Sequence, residues 1–414
     1  MSKRICVVSE LYYPEESATG HYMTQIAESL AQKYKVMAVC AQPTYHARGT
    51  RALKREIHNG VDITRITSTT FNKNSILLRL INIVSIAFSM FWATVRLVKK
   101  NDYVLVVTNP PLLPYIALLA AKLRGAKCIV RVDDVYPDVM AATGMLKKND
   151  FAYRILDRFV PYLFGRCERI VVLGRDMREL VMTKLNDISE KIHIIPNWAD
   201  VADVKPLPRG SNLLLKEIGL KDKFVVQCAG NMGRAQDIET ILEAAKQLQG
   251  QNRIHFLFIG SGTKKAWLEE QIVKHQLGNI TVLPNRPRSD QVNFLNACDV
   301  AISTLVQGML GISVPSRMYN ILAAGKPLIA VVDAKSEVAM VVTDERVGWV
   351  VPPGDANKLV EAIIAADNKK ILLDTGKRAR LVAETKFSAS NIIGYYHAMI
   401  EAIDLKQNDN IHWK

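Results

Sequence analysis

The sequence has no closely spaced cysteines. Its six, Cys6, Cys40, Cys128, Cys167, Cys228 and Cys298, stand far apart, with no CxxC pair and no Cys/His cluster. That spacing argues against a zinc site or a disulfide scaffold. No metal site is expected. Cys6, Cys40, Cys128 and Cys228 fall in apolar, strand-like runs and read as small core residues. There is no G-x-G-x-x-G, so the dinucleotide fingerprint is absent. The first apolar run, Ile5-Cys-Val-Val, ends at Ser9-Glu10, too short for a signal peptide, which predicts a cytoplasmic protein. There is no internal repeat, no low-complexity tract and no basic stripe interleaved with aromatics. A nucleic-acid partner is therefore not expected.

What is present suits two globular domains. The chain has 414 residues and is 49% apolar, enough for two ordinary cores. The net charge of +14 is uneven, with +10 carried by residues 1–200. Excess positive charge attracts polyanions, and an anionic membrane face is preferred here over nucleic acid. A merely soluble basic surface is the alternative.

Short β-branched runs alternate with helical stretches. In the first half the predicted strands are 4–8, 35–41, 61–67, 103–108, 127–132, 169–173 and 192–195; in the second they are 223–229, 254–259, 279–283, 299–303, 327–332 and 347–351. Strands separated by helices imply parallel sheets with right-handed crossovers. Runs that are apolar throughout, such as Val104-Leu-Val-Val, suit strands covered on both faces. The fold class predicted is α/β, with two doubly wound, Rossmann-like domains over 1–198 and 199–389. Residues 199–211 read as a linker. A last helix near 390–404 carries Ile392, Ile393, Tyr396, Ile400 and Ile403 on one face, and is expected to pack back on the first domain. The tail 405–414 is expected to fray.

One helix stands apart. Residues 76–98 are nearly all apolar, with Arg79, Asn82, Ser85, Ser89, Ala93 and Arg96 forming a narrow stripe. It reads as a helix buried in the first domain, as one partly sunk into a membrane surface, or as a transmembrane span.

Six segments carry candidate chemistry. The loop Tyr12 to Gly20 opens a helix near His21, where Gly20 would let N–H groups approach an anion or would simply turn the chain. Asp133 and Asp134 follow an apolar strand, at the carboxyl end where open α/β sheets bind ligands. A carboxylate there can orient a sugar hydroxyl or act as a base; Asp138, after Pro137, would cap the next helix. The segment Gly230-Asn231-Met-Gly233-Arg234-Ala-Gln236 forms a compact anion-binding turn before a helix from Asp237. Arg234 would either meet a phosphate or lie solvated. Ile259-Gly-Ser-Gly262 would border a nucleotide or, the preferred reading, simply form a tight turn, and Pro284-Asn-Arg286 follows the next strand, where Arg286 would flank a base or lie in an ordinary turn. Last comes Gly311-Ile-Ser313-Val-Pro315-Ser316-Arg317-Met-Tyr319-Asn320, ending at Gly325-Lys-Pro327. Pro315 suits a first helical turn and Gly325 a helix end. Ser313, Ser316 and free N–H groups there would hold a diphosphate that Arg317 neutralises.

At these residues the sequence resembles retaining glycosyltransferase family 4, of GT-B fold. The likeness runs through the Gly20 loop, Ile195-Pro-Asn197, Gly230 to Gln236, Asp299, Ala323-Ala-Gly-Lys-Pro327 and Gly348-Trp-Val-Val-Pro-Pro-Gly354. Asp134-Val-Tyr-Pro and the Val314 to Gly325 segment are similar to a subgroup of bacterial surface-polysaccharide transferases, one of which transfers N-acetyl-L-fucosamine. The resemblance implies a nucleotide-sugar donor, by family habit UDP-linked, held by the second domain, with no further cofactor. Its binding set would be Gly20, Gly230, Asn231, Gly233, Arg234, Gln236, Arg286, Gly311, Ser313, Ser316, Arg317 and Tyr319, with Asp134 and Asn320 as catalytic positions. The acceptor implied is a polyprenyl-diphosphate-linked saccharide at the inner membrane face, in O-antigen, capsule or exopolysaccharide synthesis. The chain departs from the family pattern where two glutamates spaced eight apart become Ile312 and Asn320. An arginine and a lysine become Asn231 and Gln236, and a histidine becomes Asp134. Two other readings compete: a nucleotide-sugar 2-epimerase of the same fold, and a sugar-nucleotide-binding protein without catalysis.

Overall fold

The computed structural model describes residues 3–43, 51–69 and 76–409. Its first sheet has eight strands: β1 (Arg4–Val8), β2 (Lys35–Cys40), β3 (Arg55–His58), β4 (Val61–Arg65), β5 (Tyr103–Val107), β6 (Lys127–Val132), β7 (Arg169–Val172) and β8 (Ile192–Ile194). They lie in the order β3-β4-β2-β1-β5-β6-β7-β8. The second sheet holds β9 (Phe224–Ala229), β10 (Ile254–Ile259), β11 (Ile280–Leu283), β12 (Val300–Thr304), β13 (Leu328–Val331) and β14 (Gly348–Val351). Their order is β11-β10-β9-β12-β13-β14. All pairings are parallel except β3 with β4. The central strands are buried along their whole length, as sheets covered on both faces require.

Strand β3 was not expected from the sequence. Three of the four residues in its Arg-Glu-Ile-His run are polar, and they alternate between exposed and partly buried, the signature of a sheet edge. The available signal was the turn: Asn59 and Gly60 both have positive φ, 46° and 81°, and Asn-Gly is a strong hairpin dipeptide.

The first domain's helices are α1 (Ala18–Leu30), α2 (Ile76–Leu97), α3 (Leu113–Arg124), α4 (Asp138–Ala142), α5 (Phe151–Arg166) and α6 (Arg175–Lys184). Helix α1 begins three residues before His21. Asp138 does not cap the helix it opens; it is buried, accepts from Tyr153 Oη at 3.1 Å and pairs with Lys184 at 2.6 Å. The strand order moves steadily from β1 to β7 through β5 and β6, so right-handed crossovers put α2, α3 and α5 side by side on one face. Helix α2 rests its inner residues Met90 and Thr94 in the core. Among the described residues no helix is long and apolar enough to cross a membrane.

The outer surfaces of these three helices are apolar. Ile81, Val84, Phe88 and Trp92 of α2 are exposed, as are Leu119 and Leu123 of α3 and Phe151, Ile155, Phe159 and Tyr162 of α5. In each helix the spacing of three, four or seven makes a stripe. The three helices contain seven arginines and lysines against a single acid, Asp157.

The C-terminal helix, Ala389–Asp409, buries Ile392, Tyr396, Ile400 and Ile403. It returns to the first sheet: Tyr396 Oη accepts from Arg131, His397 meets Ser29, and Asp404 accepts from Tyr103 and pairs with Lys3. The helix continues through Asp409, five residues past the predicted end at 404; residues 410–414 lie outside the described residues. The two chain crossings between domains pair with each other, Ala199 N–H donating to Phe387 O at 2.7 Å.

Candidate active site

The carboxyl edges of the two sheets meet. Asp134, just after β6, forms a β-bridge with Ser313, which follows β12. The next residue, Val135, donates its N–H to Ile312 O at 2.9 Å. Gly311 comes against α6 of the first domain: a Cβ there would lie 2.6 Å from Asp176 O, its φ is +71°, and its N–H donates to Asp176 Oδ2 at 3.1 Å. The glycine is needed for close approach, because no L side chain fits that gap.

Asp133 and Asp134 have separate fates. Asp133 accepts from the buried Arg131 at 2.7 Å and from Thr19 Oγ1 at 3.2 Å. Arg131 also donates to Tyr396 Oη at 2.7 Å and to Asn197 Oδ1 at 2.5 Å. Asp133 is thus tied into a buried network that binds the linker and C-terminal helix to the sheet. Asp134 is half-buried, and desolvation pushes its carboxyl up to about 6, with Asp133 adding and a hydrogen bond from Ser313 opposing.

In the second domain two glycine segments and an arginine converge. Gly230 has φ +125°, and its N–H donates to Ile259 O at 2.8 Å. A Cβ on Gly260 would sit 1.9 Å from Gly230 O, and one on Gly262 would sit 2.4 Å from the Met232 backbone. The turn at 260–262 therefore forms the floor under the Gly230–Gly233 turn. Gly233 packs over the Asn231 side chain. Arg317 closes the group: its guanidinium lies 3.4 Å from where a Gly230 Cβ would be, and its Nη2 donates to Asn231 O at 3.1 Å. Asn231 and Arg234 are exposed beside it. Gln236 has a buried Oε1 with no hydrogen-bond partner. Ser316 caps the Arg317–Ala323 helix in position but makes no side-chain cap bond. Pro315 lies before that cap, outside the first turn that was expected to hold it.

Several expected site residues are elsewhere. Gly20 lies inside the first turn of α1, and its N–H goes to Ser17 Oγ at 3.2 Å, so it is not offered to an anion. Tyr319 is fully buried and packs edge-on against Phe387 with ring centroids 5.1 Å apart, a core role. Arg286 is committed to Asp290 at 2.6 Å and Glu217 at 3.4 Å. Asn320, expected at a catalytic position, is buried with its amide spent on Asp200: Oδ1 accepts the Asp200 N–H at 2.8 Å, and Nδ2 donates to Asp200 Oδ2 at 3.1 Å.

Asp200 is the residue that the sequence did not single out. It follows Ile195-Pro-Asn-Trp-Ala in the linker, where only irregular composition was visible. It is buried, and it also meets His21 Nε2 at 3.1 Å and Arg288 Nη2 at 2.5 Å. Burial would raise its pKa, but the His21 and Asn320 bonds and the Arg288 charge outweigh that and hold it well below the usual carboxylate range. Among the described residues no group of three or more His, Cys, Asp or Glu could hold a metal ion.

Two family models match the chain: Glycosyltransferase Family 4 over residues 19–203, and Glycosyl transferases group 1 over residues 213–386. The chain is 33% identical over 360 residues to WbjE, a probable glycosyltransferase of Pseudomonas aeruginosa, covering 87% of this chain and 88% of the relative. It is 25% identical to WcaI of Escherichia coli K12, named for colanic acid biosynthesis, over 94% and 98% of the two chains. It is also 25% identical, over 69% and 72%, to an Escherichia coli enzyme named UDP-Gal:alpha-D-GlcNAc-diphosphoundecaprenol alpha-1,3-galactosyltransferase. In fold it is similar to Anabaena HepE, whose structure holds UDP and glucose, with a TM-score of 0.73, 13% identity and coverage of 97% and 100%. The architecture is accordingly GT-B, two parallel-sheet α/β domains joined across a cleft.

Proposed function

The chain belongs to the glycosyltransferases, and we propose that it moves a sugar, N-acetylated or deoxy, from a UDP-sugar to a polyprenyl-diphosphate-linked or glycan acceptor, with retention at the anomeric carbon. The relatives named for colanic acid and for a diphosphoundecaprenol acceptor support a place in bacterial surface-polysaccharide synthesis, as O-antigen, capsule or exopolysaccharide. HepE with bound UDP supports the nucleotide.

The observation that carries the reading is the stacking of Arg317 on Gly230. A guanidinium laid over a side-chain-free turn leaves cationic N–H donors and backbone N–H groups open to one anion. The diphosphate would rest on Gly233 and Ser313, with Arg317 and Arg234 offsetting its charge. Such preorganised donors stabilise the charge that develops as the C1–O bond to the diphosphate breaks. The acceptor oxygen bonds to C1 from the same face, and its proton passes to the departing diphosphate. Asp134, ionised above its raised pKa, would accept a hydrogen bond from a donor-sugar hydroxyl.

The outer face of α2, α3 and α5 supports peripheral attachment to the inner membrane surface. Exposed Phe88, Trp92, Leu123 and Phe159 suit the acyl boundary, and the surrounding arginines and lysines suit anionic headgroups. This seating would bring a lipid-linked acceptor to the first domain. Thermal-shift screening against nucleotide sugars tests the donor: stabilisation by UDP-sugars that Arg317→Ala abolishes is expected, and silence from every UDP-sugar would sink the assignment.

A further inference from the structure

One polar constellation is unused by the donor-side reading. His21 stands in the first turn of α1, beside Gly20, and its Nε2 meets Asp200 Oδ1 at 3.1 Å. The other carboxylate oxygen takes Arg288 Nη2 at 2.5 Å and Asn320 Nδ2 at 3.1 Å. Three elements thus close on one carboxylate: the first domain through His21, the second through Arg288 and Asn320, and the linker that carries Asp200 itself. Arg288 already supplies the countercharge. An imidazole that carries its proton on Nε2 donates it to the carboxylate and keeps its lone pair on Nδ1.

Nδ1 is left over. Among the described residues it makes no hydrogen bond, yet it is not one of the buried polar atoms without a partner. The side chain is 18% exposed, while its partner Asp200 is 6% exposed. The Tyr22 ring lies 5.6 Å from the imidazole, and Asp200, which itself bonds Arg288 and Asn320 of the second domain, holds its far nitrogen. A carboxylate fixing one imidazole nitrogen so that the other presents a defined lone pair is a familiar way to orient a proton acceptor.

We propose that His21 is a catalytic residue whose Nδ1 accepts a hydrogen bond from the attacking hydroxyl of the acceptor, and that Asp200 is the positioning residue that sets its tautomer. This rests on the glycosyl-transfer reading above. The hydrogen bond holds the hydroxyl with an oxygen lone pair toward the anomeric carbon; as the C1–O bond to the diphosphate breaks and the new bond to C1 forms, the hydroxyl proton swings from Nδ1 to a departing diphosphate oxygen, so the imidazole gains no proton. The competing role is structural, a bolt between α1 and the linker.

Two variants of the full chain separate these roles. His21→Gln can still donate an amide N–H to Asp200 but has no acceptor where Nδ1 was. His21→Asn puts an amide oxygen near the Nδ1 position and is too short for Asp200. The readouts are UDP affinity by calorimetry, melting temperature, and kcat and acceptor KM with a UDP-sugar that the wild type uses. The proposal expects His21→Gln to bind UDP and melt as the wild type does while kcat falls about 100-fold or more. It expects His21→Asn to recover part of that loss despite a lower melting temperature. Wild-type kcat in His21→Gln would overturn it, and so would losses of UDP affinity and melting temperature that track the loss of rate in both variants. A wild type that neither binds UDP nor turns over any nucleotide sugar would instead defeat the donor reading, and this proposal with it.

Discussion

Asn320 and Asp200 bond to each other twice, amide oxygen to backbone N–H at 2.8 Å and amide nitrogen to carboxylate at 3.1 Å. The family pattern that the chain resembles has a glutamate at position 320. Here that position carries an amide, which holds the Asp200 carboxylate of the linker. Asn320→Ala would orphan a buried N–H and remove a donor to a buried carboxylate, costing about 1–3 kcal/mol. Asn320→Glu, which restores the family residue, would bring two carboxylates together and should cost more. Urea unfolding of both variants checks the order; a more stable Asn320→Glu would contradict it.

Asp134 should trade stability for activity. Its pKa rises from 3.8 unfolded to about 6 folded, so the folded state holds the proton more tightly. The stabilisation is full below pH ~4 and is lost as pH rises through ~6, by roughly 3 kcal/mol at most. Asp134→Asn should therefore match the wild type at pH 4, exceed it at pH 8, and transfer sugar far more slowly. Equal unfolding midpoints at pH 8 would contradict this.

Gly260 is a buried control point for the donor turn. A methyl there would meet Gly230 O at 1.9 Å, and its φ of +151° disfavours any L side chain. Gly260→Ala should displace the Gly230 turn, lower the melting temperature by several degrees and weaken UDP at least ~10-fold, a loss of about 1.4 kcal/mol. Gly250→Ala, where no atom lies within 4 Å of the added Cβ, should do neither. Calorimetry with UDP on both variants decides it.

The apolar face gives a third kind of test. Vesicles containing phosphatidylglycerol should sediment the protein at low salt, and Phe88→Ser with Phe159→Ser should release it without altering the melting temperature. Failure to bind such vesicles at low salt, together with full solubility at high salt, would refute peripheral attachment.

The architecture was legible because period and composition survive folding. Every predicted strand is present, since β-branched runs such as Val104-Leu-Val-Val have no other stable setting than a covered sheet. The convergence of Gly230, Gly260 and Arg317 was only partly legible: each glycine turn was visible, but which one packs on which is a long-range fact. Tyr319 illustrates the limit. A helix of seven residues turns one side to the ligand and the other to the core, and sequence alone did not say which side Tyr319 faces. Asp200 was hidden because a linker aspartate carries no local pattern; its partners lie 88, 120 and 179 residues away. Arg288 went unnamed for the same reason.

The most direct test of the account is release of UDP from a UDP-sugar, measured with and without a polyprenyl-diphosphate-linked acceptor, in the wild type and in Arg317→Ala. Acceptor-dependent release in the wild type, with a glycosylated lipid formed and both lost in Arg317→Ala, is the predicted result. Conversion of the donor to its C2 epimer, or tight donor binding with no turnover in the presence of any lipid acceptor, would contradict it.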